Sequence, residues 1–118
     1  MATYRLRIER WSPALLNDLR GHWAKAHRLK TIDRNMVMGY CKLNRIPLAN
    51  GPRIVRLTIT LCPAQHVAPD PDAFWKSTLD ALVHADMLID DCGQYCQCDG
   101  VRFEKGPERA TLIELEEL

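Results

Sequence analysis

Hydrophobic and polar residues alternate from the start of the chain, with Tyr4, Leu6 and Ile8 on one side of residues 3–9 and Arg5, Arg7 and Glu9 on the other. A period of two predicts a strand with one buried face, and Trp11-Ser12-Pro13 breaks it. Residues 14–30 contain helix formers and a basic run from His22 to Lys30, but Gly21 interrupts them, which predicts a loop with some helical turns. Over residues 31–44, Ile32, Met36, Val37, Tyr40 and Leu43 recur at helical spacing and predict the first long helix. Asn50-Gly51-Pro52 closes the segment that follows.

Residues 53–62 form the clearest strand. Val55, Leu57, Ile59 and Leu61 alternate with Arg56, Thr58, Thr60 and Cys62, and Pro63 ends the run. Asp70 before Pro71 reads as a helix cap followed by a proline at the first helical position, where a missing N–H costs nothing. The helix is predicted over residues 71–85, with Phe74, Thr78, Leu79, Leu82 and Val83 as its apolar face. Residues 95–104 and 110–116 predict a hairpin around Lys105-Gly106-Pro107.

The order strand, helix, strand, helix, strand, strand predicts an α+β fold with two main helices packed on one small sheet of about four strands. The 118 residues suit one domain, whose usual size is roughly 100 to 150 residues. There is no internal repeat, low-complexity tract or linker, so residues 1–118 are expected to form a single domain. No apolar run approaches the roughly 20 residues that span a bilayer. The first residues lack an apolar stretch followed by a small-residue cleavage site. Five cysteines, an odd number, suit a reducing compartment. A cytoplasmic protein without membrane contact is expected.

A net charge of +1 conceals two opposed halves. Residues 1–56 carry twelve Lys/Arg against Glu9, Asp18 and Asp33, a balance of +9. Residues 57–118 carry four bases and twelve acids, a balance of −8. A basic half can neutralise phosphates and an acidic half can hold divalent cations. The alternative is that the halves attract each other, within the fold or between subunits.

The acidic half concentrates its candidate chemistry in Asp70-Pro71-Asp72-Ala73-Phe74-Trp75-Lys76, then Asp80, then Asp90-Asp91. Asp72, Lys76 and Asp80 are four apart, which places them along one helical face. Carboxylates at a helix start, met by another from a following loop, can bind Mg²⁺, a cation that takes oxygen ligands and keeps several waters. Such an ion activates a water for phosphodiester hydrolysis, with Lys76 one turn away to meet the developing charge. Spacing alone also allows a plain cap, exposed ion pairs with Lys76 and a solvated turn, which contribute roughly 0–1 kcal/mol.

The chain resembles the RusA-type Holliday junction resolvases, small dimeric Mg²⁺ endonucleases of bacteria and phages. Their signature, Asp-x-Asp-Asn-x-x-Lys, Asp-Ala-Leu and a later Asp-Asp, is matched here by Asp70 to Lys76, Asp80-Ala81-Leu82 and Met87-Leu88-Ile89-Asp90-Asp91. Ser12-Pro13 and Asn17, near His22-Trp23, match the family's N-terminal Pro-Ser…Asn segment more loosely. The resemblance extends over essentially the whole chain and implies a RusA-like domain with a mixed sheet. It implies Asp70, Asp72 and Asp91 as metal-binding carboxylates, Lys76 as the essential lysine, and support from Asp80 and Asp90. It further implies Mg²⁺, with Mn²⁺ as a substitute, a homodimer, and four-way or related branched DNA as substrate. Two departures stand out: Ala73 replaces the motif's Asn, and Gln65-His66-Val67-Ala68-Pro69 replaces a basic run. An active endonuclease is the expectation; the alternative is a junction-binding protein of the same fold with weakened or lost catalysis.

Arg20, Lys25, Arg28, Lys30 and Arg34 are the candidates for phosphate contacts, which fix position without reading sequence. Trp23 and Trp75 are expected in core or dimer packing, although an exposed tryptophan can stack on an unpaired base. His66 is the histidine nearest the acidic cluster. Cys92, Cys96 and Cys98 invite a zinc reading, but C-x3-C-x-C departs from the usual paired C-x2-C spacing. Buried or half-exposed thiols are the default.

Overall fold

Alternation along the chain becomes a four-stranded mixed sheet in the computed structural model, which describes residues 2–64 and 68–118. His66 lies outside the described residues. The strands are β1 (Thr3–Glu9), β2 (Arg53–Leu61), β3 (Cys96–Lys105) and β4 (Ala110–Glu117). The helices are a short α1 (Leu16–Leu19), α2 (Trp23–Leu43) and α3 (Trp75–His84), the last preceded by a 3-10 turn, Pro71–Phe74. The chain is a single compact α+β domain with two main helices.

The sheet runs β1-β4-β2-β3. β4 lies antiparallel to both β1 and β2, whereas β2 and β3 are parallel, Arg53 opposite Cys96 and Leu61 opposite Lys105. Leu6, Ile8, Val55, Leu57, Ile59, Ile113 and Leu115 share one buried face with Val37 and Cys41 of α2 and Ala81 and Leu82 of α3. The opposite face is ionic, with Arg5 on Glu114 at 3.0 Å and Arg56 on Glu116 at 3.0 Å and Asp99 at 2.7 Å. Both helices therefore cover one side of the sheet.

Two expectations are corrected. The strands at 95–104 and 110–116 do not form a hairpin, because β2 lies between β3 and β4. Burial accounts for this: Ile113 and Leu115 demand a central strand, while β3 buries only Cys96 and takes the edge. The chain crosses the end of β2 at Gly106, whose N–H donates to the Leu61 carbonyl at 3.0 Å. A Cβ at Gly106 would stand 2.7 Å from the Thr60 methyl, so any side chain at the crossing would have to push that methyl aside. Secondly, α2 begins at Trp23, eight residues before the expected start at Thr31. Gly21, at φ +119°, separates it from α1. Of the two tryptophans expected in core or dimer packing, Trp23 is 76% exposed and outside the core of this chain, whereas Trp75 packs partly buried against it. No helix among the described residues is long and apolar enough to cross a membrane.

Candidate metal and nucleic-acid site

Asp70 caps the 3-10 turn as its spacing predicts, its Oδ1 accepting the Asp72 N–H at 3.1 Å and its carbonyl accepting the Ala73 N–H at 3.0 Å. Pro71 needs no acceptor there. Asp70 and Asp72 are both exposed. Phe74 anchors the turn: it is 2% exposed, and its ring meets Phe103 of β3 at 5.9 Å between centroids. Lys76 follows in the first turn of α3, exposed and without an ion pair or hydrogen bond among the described residues.

The turn sits at the Leu61 end of the sheet, where Pro69, Phe74, Trp11 and Arg109 border a hollow of about 380 Å³. From there α3 runs back toward the Arg53 end. The Arg53 guanidinium donates to the Met87 carbonyl at 3.0 Å, and the Arg53 N–H to the Tyr95 carbonyl at 3.1 Å. Asp90 and Asp91 lie between those anchors, both exposed, with Asp90 Oδ1 accepting the Asp91 N–H at 2.8 Å. A 3-10 turn and a ten-residue helix separate the two acidic groups, a length on the order of 20 Å. One chain thus brings Asp70 and Asp72 together and holds Asp91 at the far end. Among the described residues, no three His, Cys, Asp or Glu side chains are gathered closely enough to hold a metal ion.

Asp80 does not pair with Lys76. Its carboxylate accepts Arg34 Nε at 2.9 Å and Nη2 at 3.2 Å, which occupies two donors of one of the candidate phosphate-binding residues. One turn toward the start of α3, Ser77 donates to Asp33 at 2.6 Å. The buried Asp33 carboxylate also accepts Trp11 Nε1 at 2.9 Å and the Ala14 N–H at 2.9 Å. Asp33 thereby ties the loop after β1, α2 and the beginning of α3 into one unit. The only sequence signal for it is a lone acid in an otherwise basic and apolar stretch.

These contacts make α2 and α3 parallel, since Asp33 and Arg34 face Ser77 and Asp80 while Met38 and Cys41 share a hollow with Ala85 and Met87. Ten residues of α2 precede Asp33, about 15 Å of helix. The first turns of α2 therefore lie at the Asp70 end. Residues 23–28 are exposed there except for half-buried Ala26.

Attraction between the charged halves explains part of the basic excess. Arg5, Arg10, Arg34, Arg53 and Arg56 each pair with an acid from the second half. Arg20, Arg28 and Lys30 make no such pair among the described residues, and Lys25 reaches Asp18 only at 3.8 Å. Arg20, Lys25, Arg28 and Lys30 therefore leave uncommitted positive charge at the Asp70 end, while Lys42 and Arg45, also without an ion pair among the described residues, lie beside Ala85 and Met87 at the other end of α2.

Among the described residues the cysteines form no metal group either. Burial pushes the Cys96 thiol up to about 12, with Cys98, Asp91 and Cys92 adding to the effect. It also raises Cys98. Compared with known proteins, the chain matches no family model and no curated protein.

Proposed function

We propose that the chain is a Mg²⁺-dependent, structure-specific DNA endonuclease of the RusA type, hydrolysing phosphodiesters at four-way junctions or related branched DNA. One observation carries the reading: the exposed Asp70–Asp72 pair stands ahead of an uncommitted Lys76, at the end of the molecule that also presents Arg20, Lys25, Arg28 and Lys30.

Asp70 and Asp72 would hold Mg²⁺, which commonly binds through one or two carboxylates and keeps several waters. Mn²⁺ suits the same donors. When bound, the ion supplies an activated water and offsets charge on the phosphodiester. Lys76 places its ammonium beside the scissile phosphate and stabilises negative charge as it develops. Arg20, Lys25, Arg28 and Lys30 fix the backbone of the strand without reading its bases. Asp33 positions this machinery by holding Ser77, next to Lys76.

Asp91 can join this set only from a second copy of the chain, given its place at the opposite end. A two-fold homodimer supplies it twice and presents two symmetry-related sites, as paired cuts across a junction require. Asp90 supports the Asp91 segment through its bond to the Asp91 N–H. Asp80 acts through Arg34 and is not a ligand in this reading. A reducing, cytoplasmic setting accords with the thiols at Cys41, Cys92, Cys96 and Cys98.

Ala73 favours a second reading, since its methyl group offers no amide to orient a carboxylate or touch DNA. Under that reading the chain binds junctions without cutting them. Incubation of a synthetic four-way junction with Mg²⁺, beside an Asp72→Asn variant, separates the two. Cleavage by the parent alone is the expected result; a junction that is bound but left whole sinks the nuclease reading.

A further inference from the structure

Trp23, Lys30 and Val37 are seven residues apart in α2 and so share one stripe of the helix. Val37 is fully buried, Lys30 is half-buried and Trp23 is 76% exposed. The stripe that packs into the core further along is therefore uncovered at the start of the helix, where it carries an indole. We propose that Trp23 is a stacking platform for an unpaired base of single-stranded or branch-point DNA. The location rests on the nuclease reading; the test does not.

Charge decides what covers the ring. From Leu19 to Ile32 the chain carries Arg20, Lys25, Arg28 and Lys30 with His22 and His27, and no acid. A second copy docked with its own α2 start across the two-fold axis would set this basic surface against itself. A nucleic-acid backbone brings the complementary charge, and its bases bring the apolar face an indole needs. Paired bases are stacked within a duplex, so an unpaired base is the form whose face is accessible. The His27 ring stands 6.5 Å from the indole at 57°, too tilted to stack on it. A lipid surface is a poorer fit, because interfacial helices bury a broad apolar face and Ala24, Lys25, His27 and Arg28 surround Trp23 on this helix.

The test measures binding of the full chain, without divalent metal, to a short oligothymidylate and to a duplex of equal length. Trp23→Ala is expected to weaken single-strand binding about tenfold and to change duplex binding less than about twofold. Trp23→Phe should restore most of the loss, since a phenyl ring still stacks. Oligothymidylate should also quench tryptophan emission in the parent and not in Trp23→Ala. Equal single-strand binding by the parent and Trp23→Ala would overturn the proposal, as would an equal loss on duplex. A shift of Trp23→Ala from dimer to monomer in sedimentation would assign the ring to a second copy. Quenching by anionic phosphatidylserine vesicles but not by oligothymidylate would assign it to membranes. A junction that stays uncut while Trp23 responds to single strands refutes the nuclease reading and leaves this one standing.

Discussion

Arg34 grips both carboxylate oxygens of Asp80, Nε on Oδ2 at 2.9 Å and Nη2 on Oδ1 at 3.2 Å, joining α2 to α3. The two side chains are 36% and 32% exposed, so solvent screens part of the attraction. Arg34→Ala or Asp80→Asn is expected to lower stability by roughly 1 kcal/mol. Junction affinity should change by less than about twofold, because Arg34 is committed to the fold, whereas Arg28→Ala should weaken it several-fold and lessen its salt dependence. Denaturant melts and binding titrations check both parts. Equal binding losses from Arg34→Ala and Arg28→Ala, with stability unchanged, would return Arg34 to the DNA surface.

Asp33 predicts a larger effect. Its carboxylate satisfies Trp11 Nε1, the Ala14 N–H and the Ser77 hydroxyl in a site 3% exposed. Asp33→Ala leaves three donors without their acceptor and should cost about 3 kcal/mol by chemical denaturation. Asp33→Asn should cost less, because its amide oxygen still accepts. A loss below about 1 kcal/mol for Asp33→Ala would show that water replaces the carboxylate readily.

Alkaline pH should destabilise the fold through its buried thiols. Burial pushes Cys41 up from 9.0 to about 11 and Cys96 from 9.0 to about 12. The unfolded chain releases these protons near 9.0, while the folded chain keeps them to about 11 and 12. The unfolded state then binds fewer protons, and stability falls as pH rises. The contribution is whole below pH 9.0 and declines from there through about 11 for Cys41 and about 12 for Cys96. Denaturation midpoints across this range should drop, and Cys41→Val should flatten part of the drop. An identical profile in parent and variant would exclude Cys41 as a source.

Separation of Asp91 from Asp70 and Asp72 makes a prediction about mixtures. Chains carrying Asp72→Asn and chains carrying Asp91→Asn should each be inactive alone. A mixed dimer retains one intact site if Asp91 crosses between chains, and should nick one strand of a junction. Differently tagged chains, co-purified, supply the mixed dimers. No nicking by verified mixed dimers would mean that each site is built within one chain.

Much of this architecture is legible in the residue pattern, and the gaps have physical causes. Alternation marks β1, β2 and β4 because each has one face in the core, and the Asp70-Pro71 pair marks its turn because capping is local chemistry. Alternation reports which face is buried and says nothing about which strand lies alongside. The insertion of β4 beside β2, and the glycine crossing at Gly106, were therefore hidden. The start of α2 was hidden because periodicity exists only where a helix packs, and residues 23–28 pack on almost nothing. The resemblance groups Asp91 with Asp70 and Asp72, and the pattern of residues gives no sign that the parallel crossover from β2 to β3 carries Asp91 to the opposite end of the sheet within one chain.

Cleavage of an end-labelled four-way junction decides whether Asp70, Asp72 and Lys76 form a Mg²⁺-dependent nuclease site. Parent protein, Asp70→Asn, Asp72→Asn and Lys76→Ala would be compared in Mg²⁺ and in chelator. Paired, symmetric cuts by the parent in Mg²⁺ alone are expected, with a loss of at least about a hundredfold in each variant and junction binding retained. Cutting that persists in chelator or in Asp72→Asn, or an intact junction held by the parent in Mg²⁺, would contradict that assignment.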